Sequence, residues 1–184
     1  MALSKNPQPI EPLYPRFSKG SASAVTRVHR VDASETIVKG DLLVIVGNKL
    51  AKATAADDFI VTGSDVAGIV GVALGDITTG ASPTRDNVLS YADAYANVFA
   101  ANMLVDDTTD FTMVDYTKFF TDLPINNVLV NSKSVWYVDS AVATNDSAIV
   151  YDIVRKAGDD PADSPVNPRV AFTFKRALLW NGLY

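Results

Sequence analysis

The chain has 184 residues and is 48% hydrophobic, enough for a packed core, and its net charge of −5 with a pI near 4.7 excludes a bulk nucleic-acid binder. It has no cysteine, so disulfide frameworks, zinc–thiolate sites, iron–sulfur clusters and thiol catalysis are excluded too. The charge is uneven: through Arg30 there are five basic residues against one acidic, a net of +4, which leaves about −9 for the remainder.

The first segment is punctuated by Pro7, Pro9, Pro12 and Pro15. Proline removes a backbone donor and pushes the preceding residue to extended geometry, so a core helix or central strand is not expected there. The segment still carries Ile10, Leu13, Tyr14 and Phe17, which a purely solvating tail would lack. Residues 1–23 therefore read as an extended arm with apolar anchors that grips another surface, followed by a single β domain over 24–184.

Residues 25–31 alternate with a period of two and mixed polarity, the pattern of an edge or partly buried strand. An apolar strand is expected over 42–46. Gly47-Asn48 then separates it from an alternating strand over 49–53; both turn residues tolerate positive φ, which makes this a hairpin signal. Residues 66–74 read as an apolar strand whose glycines mark bends or close backbone approach. A loop follows over 76–83. Residues 87–91 and 94–104 read as two further strands, although the alanine-rich stretch 92–101 is equally compatible with a helix.

Over 112–123, Tyr116, Phe119, Phe120 and Leu123 follow the spacing of one helical face, with Asp115 placed as an N-cap and Pro124 as a stop; one short helix is predicted. Strands are predicted over 128–130, 134–138, 148–154 and 170–175, with an exposed loop over 158–168. The sum is an all-β barrel or sandwich, with 105–165 as an insertion or subdomain. The apolar C-terminus is expected to be tied down, with Trp180 and Tyr184 as anchors on another subunit.

Catalytic equipment is sparse. His29, the single histidine, sits between Arg27 and Arg30, which disfavour its protonated form and supply no carboxylate to orient it. The acidic groups Asp57/Asp58, Asp106/Asp107/Asp110 and Asp159/Asp160/Asp163 lack the twelve-residue calcium-loop pattern and read as solvated turns. Gly68, Gly71 and Gly75 lie inside an apolar strand with no following lysine, so a phosphate loop is not expected. Phe119, Phe120, Trp136, Phe172 and Phe174 read as core. No catalytic, metal or cofactor site is predicted. The N-terminus lacks the apolar stretch of a signal peptide and no run approaches a membrane span, so synthesis in the cytoplasm and no membrane partner are expected.

Residues 37–53, Ile-Val-Lys-Gly-Asp-Leu-Leu-Val-Ile-Val-Gly-Asn-Lys-Leu-Ala-Lys-Ala, followed by 68–75, Gly-Ile-Val-Gly-Val-Ala-Leu-Gly, resemble the β-barrel core of tailed-phage head decoration, or cement, proteins. The resemblance implies a β-tulip-like small barrel, no enzymatic activity and no cofactor. It also implies a place on the capsid exterior as a homotrimer that stabilises the lattice. Under it, Ile10, Leu13, Tyr14, Arg16 and Phe17 would contact the major capsid protein or a neighbouring trimer, and Trp180, Leu183 and Tyr184 would serve subunit contacts. The rival readings are a tail-tube, head-completion or adaptor protein of the virion, and a carbohydrate-binding β module of a fibre or adhesin.

Overall fold

The structure, a computed structural model, describes residues 8–17, 23–53, 68–105, 114–130, 133–140, 148–154 and 169–175. Within these the chain is all-β. Its first half supplies β1 (Glu11–Pro15), β2 (Thr26–Arg30), β3 (Thr36–Ile37), β4 (Leu42–Val46), β5 (Lys49–Lys52), β6 (Ile69–Ala73) and β7 (Ile77–Thr78). The second supplies β8 (Val88–Asp93), β9 (Asn97–Leu104), β10 (Asp122–Leu123), β11 (Ile125–Val130), β12 (Lys133–Asp139), β13 (Ala148–Val154) and β14 (Arg169–Phe174).

Two main sheets form. The smaller runs β2-β8-β6-β4-β5 and the larger β10-β13-β14-β9-β12-β11, with β1 added beside β9; β3 and β7 pair as a small ribbon. The β4–β5 hairpin turns on Gly47 and Asn48, at φ 54° and 64°, the positive values expected of those residues. The alanine-rich stretch resolves into strand: β8 and β9 flank a turn in which the Asp93 carboxylate accepts the Tyr95 and Ala96 N–H groups. That local bonding gives the backbone an alternative to helix.

The main core lies between the sheets. Leu42, Val44, Ile69, Val72 and Ala92 meet Phe99, Met103, Trp136, Val150, Phe172 and Phe174 of the larger sheet. Phe99, Phe172 and Phe174 form a ring triad with centroids 5.2–6.0 Å apart. The opposite face of the smaller sheet covers a second core of Val31, Ile37, Leu43, Leu50, Val70, Leu89 and Tyr91. Burial on both faces explains why β4 and β6 read as continuous apolar runs rather than alternating ones. A bulge assists: Val44 pairs with Ile69 while Leu43 pairs with Gly71, so Val70 is skipped. The extra residue lets Ile69 and Val72 share one face and Val70 and Ala73 the other. Gly71 meets the close-approach expectation, since a Cβ there would lie 2.3 Å from Ala92 O and from the Tyr91 ring.

The expected all-β fold, barrel or sandwich, is found, and three points refine or correct the reading. First, of the two forms it is the sandwich: the smaller sheet curls until β2 and β5 approach, but they pair only at the Val31–Leu50 bridge and the Asp32 N–H to Leu50 O bond, so among the described residues no sheet closes into a barrel. Second, the predicted helix is a single 3₁₀ turn, Tyr116–Lys118, with Asp115 capping it as expected through Thr117 N–H. The Phe120 N–H donates to Val150 O at 2.7 Å, so the chain joins β13 instead of adding a helical turn. A one-turn nucleus has no such competing reward. Phe119 packs against the main core, but Phe120, at φ 62°, is 76% exposed rather than buried. Third, the N-terminal segment is not a free arm over its described length, because residues 11–15 are a strand of the larger sheet.

Candidate interaction surface

The N-terminal segment behaves differently at its two ends. At the inner end, Ile10 is fully buried in the main core, so this residue has no surface left for a partner, contrary to the expectation placed on it. The Gln8 N–H bonds the Asn102 side chain at 2.7 Å. Gly40 receives the segment at φ 90°, where a Cβ would sit 2.5 Å from Pro9 Cβ. The Lys39-Gly40-Asp41 run that carried the family resemblance therefore has a packing task here.

Arg169 completes the inner end. Its guanidinium, on a residue only 6% exposed, donates to Pro9 O at 2.6 Å, to Ala100 O at 2.7 Å and to the Glu11 carboxylate. Burial pulls its pKa below the usual arginine value, against the opposing pull of Glu11. The side chain thus staples β1 to β9 from the neighbouring strand β14.

Past Leu13 the segment opens outward. Leu13 is half-buried where the β1–β9 register shifts between Pro12 and Tyr14. Tyr14 is 38% exposed, Phe17 is 69% exposed, and Arg16 is exposed as well. The Phe17 ring lies 5.4 Å from that of Tyr95, and the Arg16 guanidinium stands 5.6 Å above the Phe17 ring, a cation–π distance. The Tyr14 and Tyr151 phenols share a hydrogen bond; burial, and then that bond, push the Tyr151 phenol above its ordinary value. Tyr14, Arg16, Phe17, Tyr95 and Tyr151 thus form one aromatic and cationic patch. It draws on three places in the fold: β1 and its exit, the β8–β9 turn, and β13.

Beside this patch, Arg16 and Val25 are fastened at adjacent residues. The Arg16 N–H donates to Ala96 O at 2.7 Å. The adjacent Asn97, fully buried, accepts the Val25 N–H with its side-chain oxygen and donates to Val25 O, at 2.7 and 2.8 Å.

Of the residues predicted from sequence, Tyr14, Arg16 and Phe17 share this patch, Leu13 flanks it and Ile10 lies beneath. Trp180, Leu183 and Tyr184 lie outside the described residues, as do the three acidic loops. Among the described residues, no group of three or more His, Asp or Glu side chains could hold a metal ion. The His29 ring nitrogen Nε2 lies 3.0 Å from Asn48 O, so it ties β2 to the hairpin turn. Sequence reasoning missed Tyr95, Tyr151 and Arg169. Tyr95 follows the turn-forming Asp93 and Arg169 opens an apolar strand after a proline; neither position carries a local pattern pointing to the N-terminus.

No helix among the described residues is long and apolar enough to cross a membrane. Compared with protein-family models, with curated proteins and with solved structures, the chain matches none.

Proposed function

We propose that this chain is a structural virion protein that binds the outer surface of a phage capsid as a decoration protein, with the Tyr14–Arg16–Phe17 patch as its contact with the major capsid protein. The observation that carries this reading is the patch itself. Its rings and guanidinium are held on β1 and the turn that follows it yet left open, and aromatic residues and arginine are the side chains enriched in interface cores. The resemblance of residues 37–53 and 68–75 to decoration proteins supports the same assignment. On this reading the protein acts without a cofactor and as a homotrimer, is made in the host cytoplasm and resides on the virion exterior.

The test is co-sedimentation with undecorated capsids, paired with light scattering for the mass in solution. Removing residues 1–20 would be a poor probe, because it would also pull Ile10 from the core and Glu11 from Arg169. Phe17→Ser combined with Arg16→Glu leaves both in place. Saturable binding by a wild-type trimer, lost in that double variant, supports the proposal. Full binding by the double variant, or none by the wild type, refutes it.

The same patch favours one second reading. Exposed rings flanked by phenols and a guanidinium suit the stacking and hydrogen bonding of a sugar, as in a glycan-binding module of a fibre. Binding on a glycan array that is lost with Phe17→Ser would move the assignment there. A ring-sized mass would move it to a tail or adaptor component.

A further inference from the structure

The aromatic patch has polar groups that its own packing leaves unused. Tyr14 and Arg16 stand two positions apart at the end of β1, the spacing that brings alternate side chains of an extended chain to one face. The Tyr14–Tyr151 hydrogen bond also has a direction. Burial first, and that bond second, push the Tyr151 phenol upward. A bond that favours the protonated form is one in which that group donates. The Tyr151 O–H therefore donates to the Tyr14 oxygen. The Tyr14 O–H remains as a donor with no acceptor among the described residues.

Arg16 is the second unused donor. Arg27, Lys49, Lys52 and Arg169 each pair with a carboxylate, whereas Arg16 pairs with none among the described residues. Asp152 bears on the Tyr151 phenol, as Arg16 does with opposite sign, yet the two charges form no ion pair. The Arg16 guanidinium instead stands 5.6 Å from the Phe17 ring centroid, and the Phe17 ring is itself set against Tyr95. Stacking on a ring restrains the planar fork without using its N–H groups.

We propose that Arg16 and Tyr14 receive an aspartate or glutamate side chain of the protein that docks on this patch. The guanidinium takes the carboxylate through its N–H fork, and the Tyr14 O–H donates to the same group. This rests on the patch being the contact with the major capsid protein, and adds what that protein must present there. Charge complementarity selects the ligand: both unused groups are donors and one is a cation. The flanking Phe17 and Tyr95 rings suit the apolar protein surface around such a carboxylate, and they keep water from the pair.

The pairing can be tested without a capsid. The full chain is titrated with a capped oligoglutamate peptide and with its glutamine counterpart, while NMR follows the Arg16 side-chain N–H and Tyr14 ring signals. Saturable shifts with the glutamate peptide alone, lost in Arg16→Gln, are expected. The variant keeps the backbone bond to Ala96 O. Equal responses to both peptides, no response, or shifts that persist in Arg16→Gln overturn the proposal. A response to inorganic phosphate or to a glucuronate oligosaccharide, with none to the glutamate peptide, overturns it in favour of a different anion.

Co-sedimentation with undecorated capsids separates this proposal from the reading beneath it. Arg16→Gln is expected to weaken binding about tenfold or more and to flatten its salt dependence, with Arg16→Lys between it and wild type. Capsid binding that Arg16→Gln leaves unchanged overturns the carboxylate pairing and leaves the decoration assignment standing. No binding by the wild type refutes that assignment, and the peptide titration then decides the pairing alone.

Discussion

Ile10 and Phe17, at the two ends of the N-terminal segment, are only seven positions apart, yet the ends are built for opposite conditions. From Pro9 to Glu11 the chain is bound from three sides: by the core around Ile10, by the space that Gly40 leaves, and by the Arg169 guanidinium. From Tyr14 to Phe17 it is held by the strand pairing, the Ala96 bond and contacts with Tyr95 and Tyr151, and leaves Tyr14, Arg16 and Phe17 exposed. Exposed apolar side chains are useful only where their backbone does not move. The buried end supplies the rigidity, and the exposed end the contact.

Perturbing each end separately sharpens this contrast. The largest effect is expected from Ile10→Ala, since deleting a fully buried Ile side chain costs about 2–5 kcal/mol; urea unfolding would read it, and a loss below about 1 kcal/mol would mean the inner end is not packed as described. Arg169→Met comes next, because it strands Pro9 O and Ala100 O without their donor. About 1–3 kcal/mol is expected, with faster hydrogen exchange along β1 and not along β5. Gly40→Ala has a similar expected cost, about 1–3 kcal/mol for a side chain forced to positive φ. Pairing it with Pro9→Gly would recover the part due to the clash, as a double-mutant cycle in thermal unfolding would show.

The outer end should respond more weakly. Tyr151 has its phenol raised above the ordinary 10.0 in the folded state, chiefly by burial. A raised value favours the protonated form, so its contribution is complete below the unfolded value near pH 10 and is lost as pH rises beyond it. Tyr151→Phe should therefore flatten the alkaline limb of a stability–pH curve and leave neutral pH nearly unchanged. Phe17→Ser is expected to change stability least, within about 0.5 kcal/mol, while weakening capsid co-sedimentation. If it unfolds the protein as Ile10→Ala does, the division between the ends is wrong.

The smaller sheet was legible because its signals are local. Gly47-Asn48 between two β runs permits only one tight connection, and the β4 and β6 runs are too short and too apolar for anything but doubly covered strands. The choice between barrel and sandwich stayed open in the sequence, since whether β2 and β5 close depends on their spacing in the fold, which no single strand encodes. The N-terminal strand was hidden for a physical reason: Pro12 and Pro15 are prohibitive in a central strand but acceptable where one edge needs no donors, and β1 is such an edge. The helix predicted over 112–123 failed because aromatic spacing at Tyr116, Phe119 and Phe120 cannot register a competing bond from Phe120 to Val150, thirty positions away. The patch was half legible. Tyr14, Arg16 and Phe17 stand out among prolines, while Tyr95 and Tyr151 join them only through the fold.

The clamp at Ala96 and Asn97 has a practical consequence. Because Arg16 and Val25 are fastened at adjacent residues, the connection between them starts and finishes at the same spot. Each doubling of a closed loop's length costs only about 0.6 kcal/mol in closure entropy. The clamp thus fixes both ends of that connection beside the aromatic patch, so a change in the length of chain between them leaves the Arg16 and Val25 anchor points where they are.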